Sequence, residues 1–370
     1  MHRVSSACFA LALASALAGC RSKVDSPDTG PGRPSVVRAA GPTNGHAAAP
    51  VIASAGVVAD QLPKDGLSLT TGLSWDAAGV ALSADGKLLV TVGGYFAKPE
   101  LKVWPLPVGK AARELPGQSG PVLAVSFAPA STVLAAGDFD GNVLVRDLDS
   151  GKELFARKAS PGQVRSVALA AAGKTLATGG GWLDFGSQTA FGEVKVWDTA
   201  GGGPRHFKGH DGLVLGVALT ADGKLLASAS SDKTVRLWDV AAGKELKKLE
   251  GHTADVNSVA LSADGKLLAS GGKDKLVIVW DVSSGKPAHT LKGHTGEVTS
   301  VALSADGKLL ASGSKDKTVR LWDTASGKEV ATVKAPDEVL GVALTPDGKV
   351  LAAGGRGKSA KVWSVAAVRK

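Results

Sequence analysis

At 370 residues, with 44% hydrophobic and only 5% aromatic side chains, the chain is long enough to bury a large core, which excludes a disordered protein. Its 48 glycines and weak helical periodicity point to many short strands joined by tight turns. A formal net charge of +9 permits an acidic partner, and the two cysteines both fall in the first twenty residues, leaving the body without disulfide or thiol chemistry.

His2 and Arg3 open the chain as a short basic stretch, and Ala7 to Ala18 is an apolar run too short for an ordinary membrane-spanning helix. The run ends in Leu17-Ala18-Gly19-Cys20, which resembles the lipobox of bacterial lipoproteins. That resemblance implies a bacterial signal peptide over residues 1–19, removed on export, and a lipid on Cys20 that anchors the chain to a membrane on its periplasmic or cell-surface side. From Arg21 to about Leu62, Pro, Gly, Ala and Ser dominate without any period, so residues 20–63 are expected to form an unstructured tether. Some forty residues of this kind span about 35 Å. The folded body is expected over 64–370.

Self-similarity at a period near 42 is the strongest signal: Val259-Ala260-Leu261-Ser262-Ala263-Asp264-Gly265-Lys266-Leu267-Leu268-Ala269-Ser270 recurs unchanged from Val301 to Ser312. Close variants start at Val80, Val217 and Val342. Trp-Asp recurs at Trp197, Trp238, Trp280 and Trp322; Trp104 and Trp363 stand at the same place with other followers, and Arg146-Asp147 has lost the tryptophan. Gly-His precedes the unit at Gly209-His210, Gly251-His252 and Gly293-His294. These three landmarks at constant spacing resemble the WD40 family. The resemblance covers the body and implies an all-β, seven-bladed β-propeller of four strands per blade, a fold that typically docks proteins or peptides.

One unit read by itself agrees. Val-Ala-Leu-Ser is a short strand closed by Asp-Gly, Lys-Leu-Leu-Ala-Ser returns, Thr318 to Trp322 is a third strand, and Lys-Glu-Leu is the outer one. The last unit stops seven residues after Trp363, with no room for an outer strand, whereas Gly66 to Thr71 precedes the first unit without a partner. This N-terminal segment is expected to complete the last blade.

His210, Ser228 and Asp232 are the residue types of a nucleophilic hydrolase, but the set recurs as His252, Ser270, Asp274 and as His294, Ser312, Asp316. Repetition favours architecture over catalysis, and no Gly-x-Ser-x-Gly elbow accompanies the serines. The family resemblance assigns them, with Trp238, Trp280 and Trp322, to an internal hydrogen-bond network. Elsewhere the set is broken: Leu73 replaces histidine in the first unit, Gln118 and Arg146 stand in the second, Ser160 and Phe191 in the third, Ala335 and Gly357 in the seventh.

Loops between second and third strands are short in most units, ten positions from Ser270 to Trp280, but nineteen from Thr178 to Trp197. The longer one carries Trp182, Phe185 and Phe191; Tyr95 and Phe96 occupy the same loop of the first unit and Phe139 that of the second. In a propeller these loops share one face, so these aromatics are the partner-binding candidates, the alternative being a local cluster on the third blade. Lys87, Lys224, Lys266, Lys308 and Lys349, with Lys152, Lys244, Lys286 and Lys328, fall in turns of the opposite face, where aspartates two positions before the first five offset much of the charge. Nucleic acid is not expected as a partner. Neither is a metal or cofactor: Asp138 to Asn142 resembles part of a calcium loop without the distal glutamate, and Asp140 aligns with the aspartates of the repeated set. The resulting expectation is a non-catalytic, monomeric, membrane-anchored interaction scaffold outside the cytoplasm. An exported propeller enzyme, a small-ligand binder and an outer-membrane assembly factor are the alternatives.

Overall fold

The computed structural model describes residues 59–74, 76–95, 98–106, 112–184 and 189–369; Cys20, the tether up to residue 58, Phe96 and Phe185 lie outside them. Twenty-eight strands among the described residues form seven four-stranded antiparallel sheets. The innermost strand of each sheet packs on those of both neighbours, and Val339–Leu344 of the seventh packs on Ala77–Leu82 of the first. The ring is closed: this is an all-β, seven-bladed propeller.

Turn chemistry explains where each strand stops. In blade 5, Ser262 Oγ donates to Asp264 Oδ1 at 2.7 Å, the same carboxylate oxygen accepts the Lys266 N–H, and the Leu267 N–H returns to Ser262 Oγ at 3.0 Å. Side chains thereby satisfy the turn's own backbone. Between the third and outer strands the aspartate of Trp-Asp does the same: Asp281 Oδ1 accepts from Ser284 N–H and from Ser283 Oγ, both at 2.7 Å.

Apolar clusters lie between blades rather than within them. Val277, Val279 and Leu291 of blade 5 pack with Val298, Val301, Leu310 and Trp322 of blade 6, so no blade buries its faces alone. Close approach requires a small residue where the second strand meets its neighbour: a Cβ at Gly313 would stand 2.5 Å from Val339 Cγ1 and 2.7 Å from Val342 Cγ1.

Leu67–Thr70 pairs with Ser359–Ser364 as the fourth strand of blade 7. Thr71 extends the seam, its N–H and Oγ1 donating to the Lys358 carbonyl at 3.0 and 2.8 Å. One boundary shifts from the sequence reading. Leu62, placed there in the tether, is buried and packs with Leu69, Val350 and Val362, so the packed chain reaches back at least to Ala59.

Every innermost strand has a β-bulge near its start, skipping Ala78, Leu123, Arg165, Leu215, Asn257, Thr299 and Leu340 in turn. The following residue is small in each blade, because inner strands converge there: a Cβ at Gly341 would stand 3.3 Å from the Gly79 Cα. Where it is serine it ties blades together, Ser258 Oγ accepting the Val301 N–H and Ser300 Oγ the Val342 N–H, each at 3.1 Å. By topology, turns between second and third strands share one face with the connections from each outer strand to the next blade. We call this the upper face.

Candidate partner-binding face

Beneath the upper face, in blade 5, Trp280 Nε1 donates to Ser270 Oγ at 2.8 Å, Ser270 lies 2.8 Å from His252 Nε2, and His252 Nδ1 lies 2.8 Å from Asp274 Oδ2. One tautomer, with the proton on Nδ1, satisfies the whole chain of donors and acceptors. Blade 4 repeats it through Trp238, Ser228, His210 and Asp232, and blade 6 through Trp322, Ser312, His294 and Asp316, with every link between 2.7 and 2.9 Å. The aspartates also accept backbone N–H groups, those of Thr253 and Thr295 at 2.9 Å. Ser228, Ser270 and Ser312 are each 0% exposed, so no substrate reaches their hydroxyls. Glycine precedes the histidine for want of space: a Cβ at Gly251 would stand 2.9 Å from Trp280 Cη2, and one at Gly209 2.8 Å from Arg236 Nη1.

Burial alone would raise Asp316, but hydrogen bonds from Thr318, His294 and the Thr295 N–H hold it at about 2. Asp232 is likewise held well below the usual carboxylate range, burial being outweighed by His210 and Thr234. His252 and His294 go down, because burial disfavours the imidazolium more than the adjacent carboxylates favour it.

The remaining blades solve the same problem differently. Trp104 donates to Thr91 Oγ1 at 3.0 Å and Trp197 to Thr178 Oγ1 at 3.1 Å, without histidine. In their place the sequence reading missed a buried lysine two residues before each tryptophan. Lys102 Nζ donates to the Gly72 carbonyl at 2.8 Å and Lys195 Nζ to that of Ala159 at 2.7 Å, beside Leu73 and Ser160. The signal was present: Arg236 and Arg320 hold the same position and pair with Glu245 and Glu329. In blade 2, Asp140, aligned with the network aspartates, does not take their place. Asp138, two residues earlier and fully buried, accepts from Asn142 N–H at 2.7 Å and from Ser119 Oγ at 3.2 Å, while Gln118 Oε1 and Arg146 Nε are buried without partners. Among the described residues no group of three or more His, Cys, Asp or Glu side chains is placed to hold a metal.

The long segment of blade 3 is a hairpin extension where a loop was expected. Strands Thr175–Asp184 and Thr189–Asp198 run on past the sheet, with Trp182 opposite Phe191 and Leu183 opposite Ala190. Trp182 and Phe191 stack with centroids 5.0 Å apart and planes 17° from parallel, which is the cross-strand contact that holds the extension in register. The stack stays partly uncovered: Phe191 is 41% and Leu183 44% exposed. A groove of about 580 Å³ opens beside it, lined by Trp182, Phe191, Glu193, His206, Lys208 and Asp211. Phe139 is half-buried in its turn, and Tyr95 ends the second strand of blade 1. On the opposite face, the five turn lysines each stand 3.2–3.6 Å from the aspartate two residues before.

Seven sheets around an axis, knitted by recurring Trp–Ser–His–Asp chains, define a β-propeller of the repeating Trp-Asp type. The model of the family "WD domain, G-beta repeat" matches residues 109–147, 204–239, 243–281, 285–323 and 327–364, more than half of the chain, and the protein belongs to this WD40 family. Blades 1 and 3, with the lengthened hairpins, are left unmatched. The chain is 29% identical over 145 residues to WD repeat-containing protein SL1-17 of Schistosoma mansoni, covering 39% of this chain and 45% of that one. It is 29% identical over 180 residues to the Periodic tryptophan protein 2 homolog of Dictyostelium discoideum, 48% of this chain and 18% of that one. Over 89 residues it is 42% identical to the small ribosomal subunit protein RACK1 of Saccharomyces cerevisiae, 24% of each. The chain thus spans less than half the length of each of these relatives.

Proposed function

We propose that this chain is a non-catalytic protein-interaction scaffold, a monomeric WD40 propeller held outside a bacterial cytoplasm by a lipid on Cys20, with the upper face of blades 1–3 as its docking surface. The observation that carries the docking reading is the stacked Trp182–Phe191 pair, which extends beyond the sheet, leaves apolar surface uncovered and borders a groove. Aromatic anchors beside a concavity are what protein interfaces use. Membership of the WD40 family supports a protein or peptide as the partner. Export and anchoring rest on the Leu17 to Cys20 motif and the apolar run before it.

Affinity capture from detergent-solubilised membranes tests the docking. The wild-type chain retains a stoichiometric protein partner, and Leu183→Ser, which removes exposed apolar surface from the extension and leaves the aromatic stack intact, weakens its capture while keeping the wild-type melt. Equal capture by both overturns the patch, and turnover of a small molecule by the purified chain overturns the non-catalytic reading. Cys20→Ser tests the anchor: the variant moves from the membrane to the soluble fraction, and undiminished sedimentation with membranes refutes it.

A further inference from the structure

Arg165 is the bulged residue of blade 3, set between buried Val164 and Val167 on the innermost strand. Its side chain is solvent-exposed, yet desolvation by the surrounding protein lowers its guanidinium from the usual value. On an innermost strand of a closed ring, such a side chain faces inward, toward the axial channel that the seven sheets enclose. The bulged side chains reach laterally around it. Asn257 Nδ2 donates to the Val298 carbonyl and Thr299 Oγ1 to that of Val339, both at 2.8 Å and both in the following blade. Among the described residues Arg165 makes no such bond to the equivalent carbonyl, that of Val214, and the side chains at the corresponding positions of its neighbours, Leu123 and Leu215, carry no acceptor. Among the described residues it has no hydrogen-bond or ion-pair partner.

Charge on the rest of the upper face follows the same asymmetry. The position just before the buried residue that precedes each bulge is Asp76, Asp255, Glu297 and Glu338 in blades 1, 5, 6 and 7, and all four are ion-paired, Asp255 with Lys273, Glu297 with Lys315, and Asp76 and Glu338 with Arg356. In blades 2–4 it is Pro121, Gln163 and Leu213. Lysine also occupies the left-handed residue of four upper-face turns, Lys233, Lys275, Lys317 and Lys358, with φ between 62° and 72°. Glycine would sit there without strain, as Gly141 does in blade 2.

We propose that Arg165, at the upper mouth of the channel, binds the side-chain carboxylate of an acidic segment of the docked protein, admitted between Leu123 and Leu215. The proposal rests on the scaffold reading for the existence of a protein partner and adds its chemistry. Guanidinium and carboxylate match as a two-pronged pair, and apolar walls that exclude water strengthen their attraction.

The full chain and Arg165→Gln are titrated with a fluorescein-labelled octapeptide of glutamate and with its glutamine counterpart, at physiological ionic strength. Arg165→Gln leaves the surface lysines in place, so diffuse attraction survives in it. Wild type binds the glutamate peptide saturably, and the substitution weakens binding roughly tenfold or more without changing the melt. Leu215→Glu, which places a carboxylate at the adjacent bulge, abolishes binding as well. Equal affinity of wild type and Arg165→Gln overturns the proposal. Glutarate binding as tightly as the octapeptide, or phosphatidylglycerol vesicles binding through Arg165, overturns the peptide assignment. Membrane capture of a partner by wild type and Arg165→Gln alike would leave the scaffold standing and remove this site from it.

Discussion

Nε2 of His252 lies 2.8 Å from Oγ of Ser270, the spacing of a base and its nucleophile. The resemblance to a hydrolase ends there, because Ser270 is sealed from solvent and accepts the indole N–H of Trp280 on its other side. Ser270→Ala would orphan two buried ring nitrogens and is expected to destabilise the propeller by roughly 1–3 kcal/mol in a denaturant titration. Asp274→Ala, which strands His252 Nδ1 and the Thr253 N–H, is expected to do likewise without loss of partner capture. A fluorophosphonate probe should leave Ser228, Ser270 and Ser312 unlabelled; labelling of any of them would contradict a purely structural network.

Stability should fall with acid in two stages. His252 and His294 are held below their ordinary value of 6.5 by burial, so the unfolded chain takes up these protons first. The stability they confer is complete above pH 6.5 and drains as pH falls through that value. Asp316 at about 2 and the still lower Asp232 contribute stability above the ordinary carboxylate value of 3.8 that is lost as pH drops below it. Calorimetry from neutral pH downward should show Tm declining between about 6.5 and 5, then more steeply below about 4. In the His252→Gln, His294→Gln double variant the first stage should flatten and the second persist; a wild-type Tm constant from neutrality to pH 5 would sink the assignment.

Removing residues through Thr71 strips the outer strand from blade 7. Leu62 and Leu69 leave the cluster shared by blades 1 and 7, and Ser359–Ser364 becomes an open edge. Loss of two buried leucines with their strand should lower Tm by about ten degrees. An unchanged melt would mean that blade 7 closes without its N-terminal strand.

Gly313→Ala adds one methyl where Val339 and Val342 of the next blade already stand within 2.5 and 2.7 Å. Valine side chains are stiff and neither can swing aside, so overpacking of about 1–3 kcal/mol is expected in equilibrium unfolding. A neutral outcome would show that adjacent blades slide apart more easily than their packing implies.

Much of this molecule is written locally. His252 and Asp274 are 22 residues apart, Ser270 and Trp280 are ten, and each turn is closed by a side chain two residues from the group it satisfies. Interactions that begin and end inside one repeat leave their spacing in the sequence, which is why the blades could be counted and Leu67–Thr70 matched to the blade lacking a strand. Blade 3 was harder to read. Trp182 and Phe191 stand in a stretch rich in glycine that looks like a loop, and only their pairing across the hairpin keeps it a sheet. Blade 2 misled through Asp140, because alignment identifies a position and not the direction of its carboxylate.

By itself, therefore, the sequence determined the repeat, the number of blades, the strand that closes the ring and the residue types inside each blade. Tertiary structure decided what converges from different blades. Ser258 and Ser300 reach backbone N–H groups 43 and 42 residues away in the following blade, and the bulges set Leu123, Arg165 and Leu215 at equivalent points of three adjacent innermost strands. Contacts that form only because seven sheets are set around a common axis share no spacing within a repeat, so no single repeat could show which side chains stand beside one another across the ring.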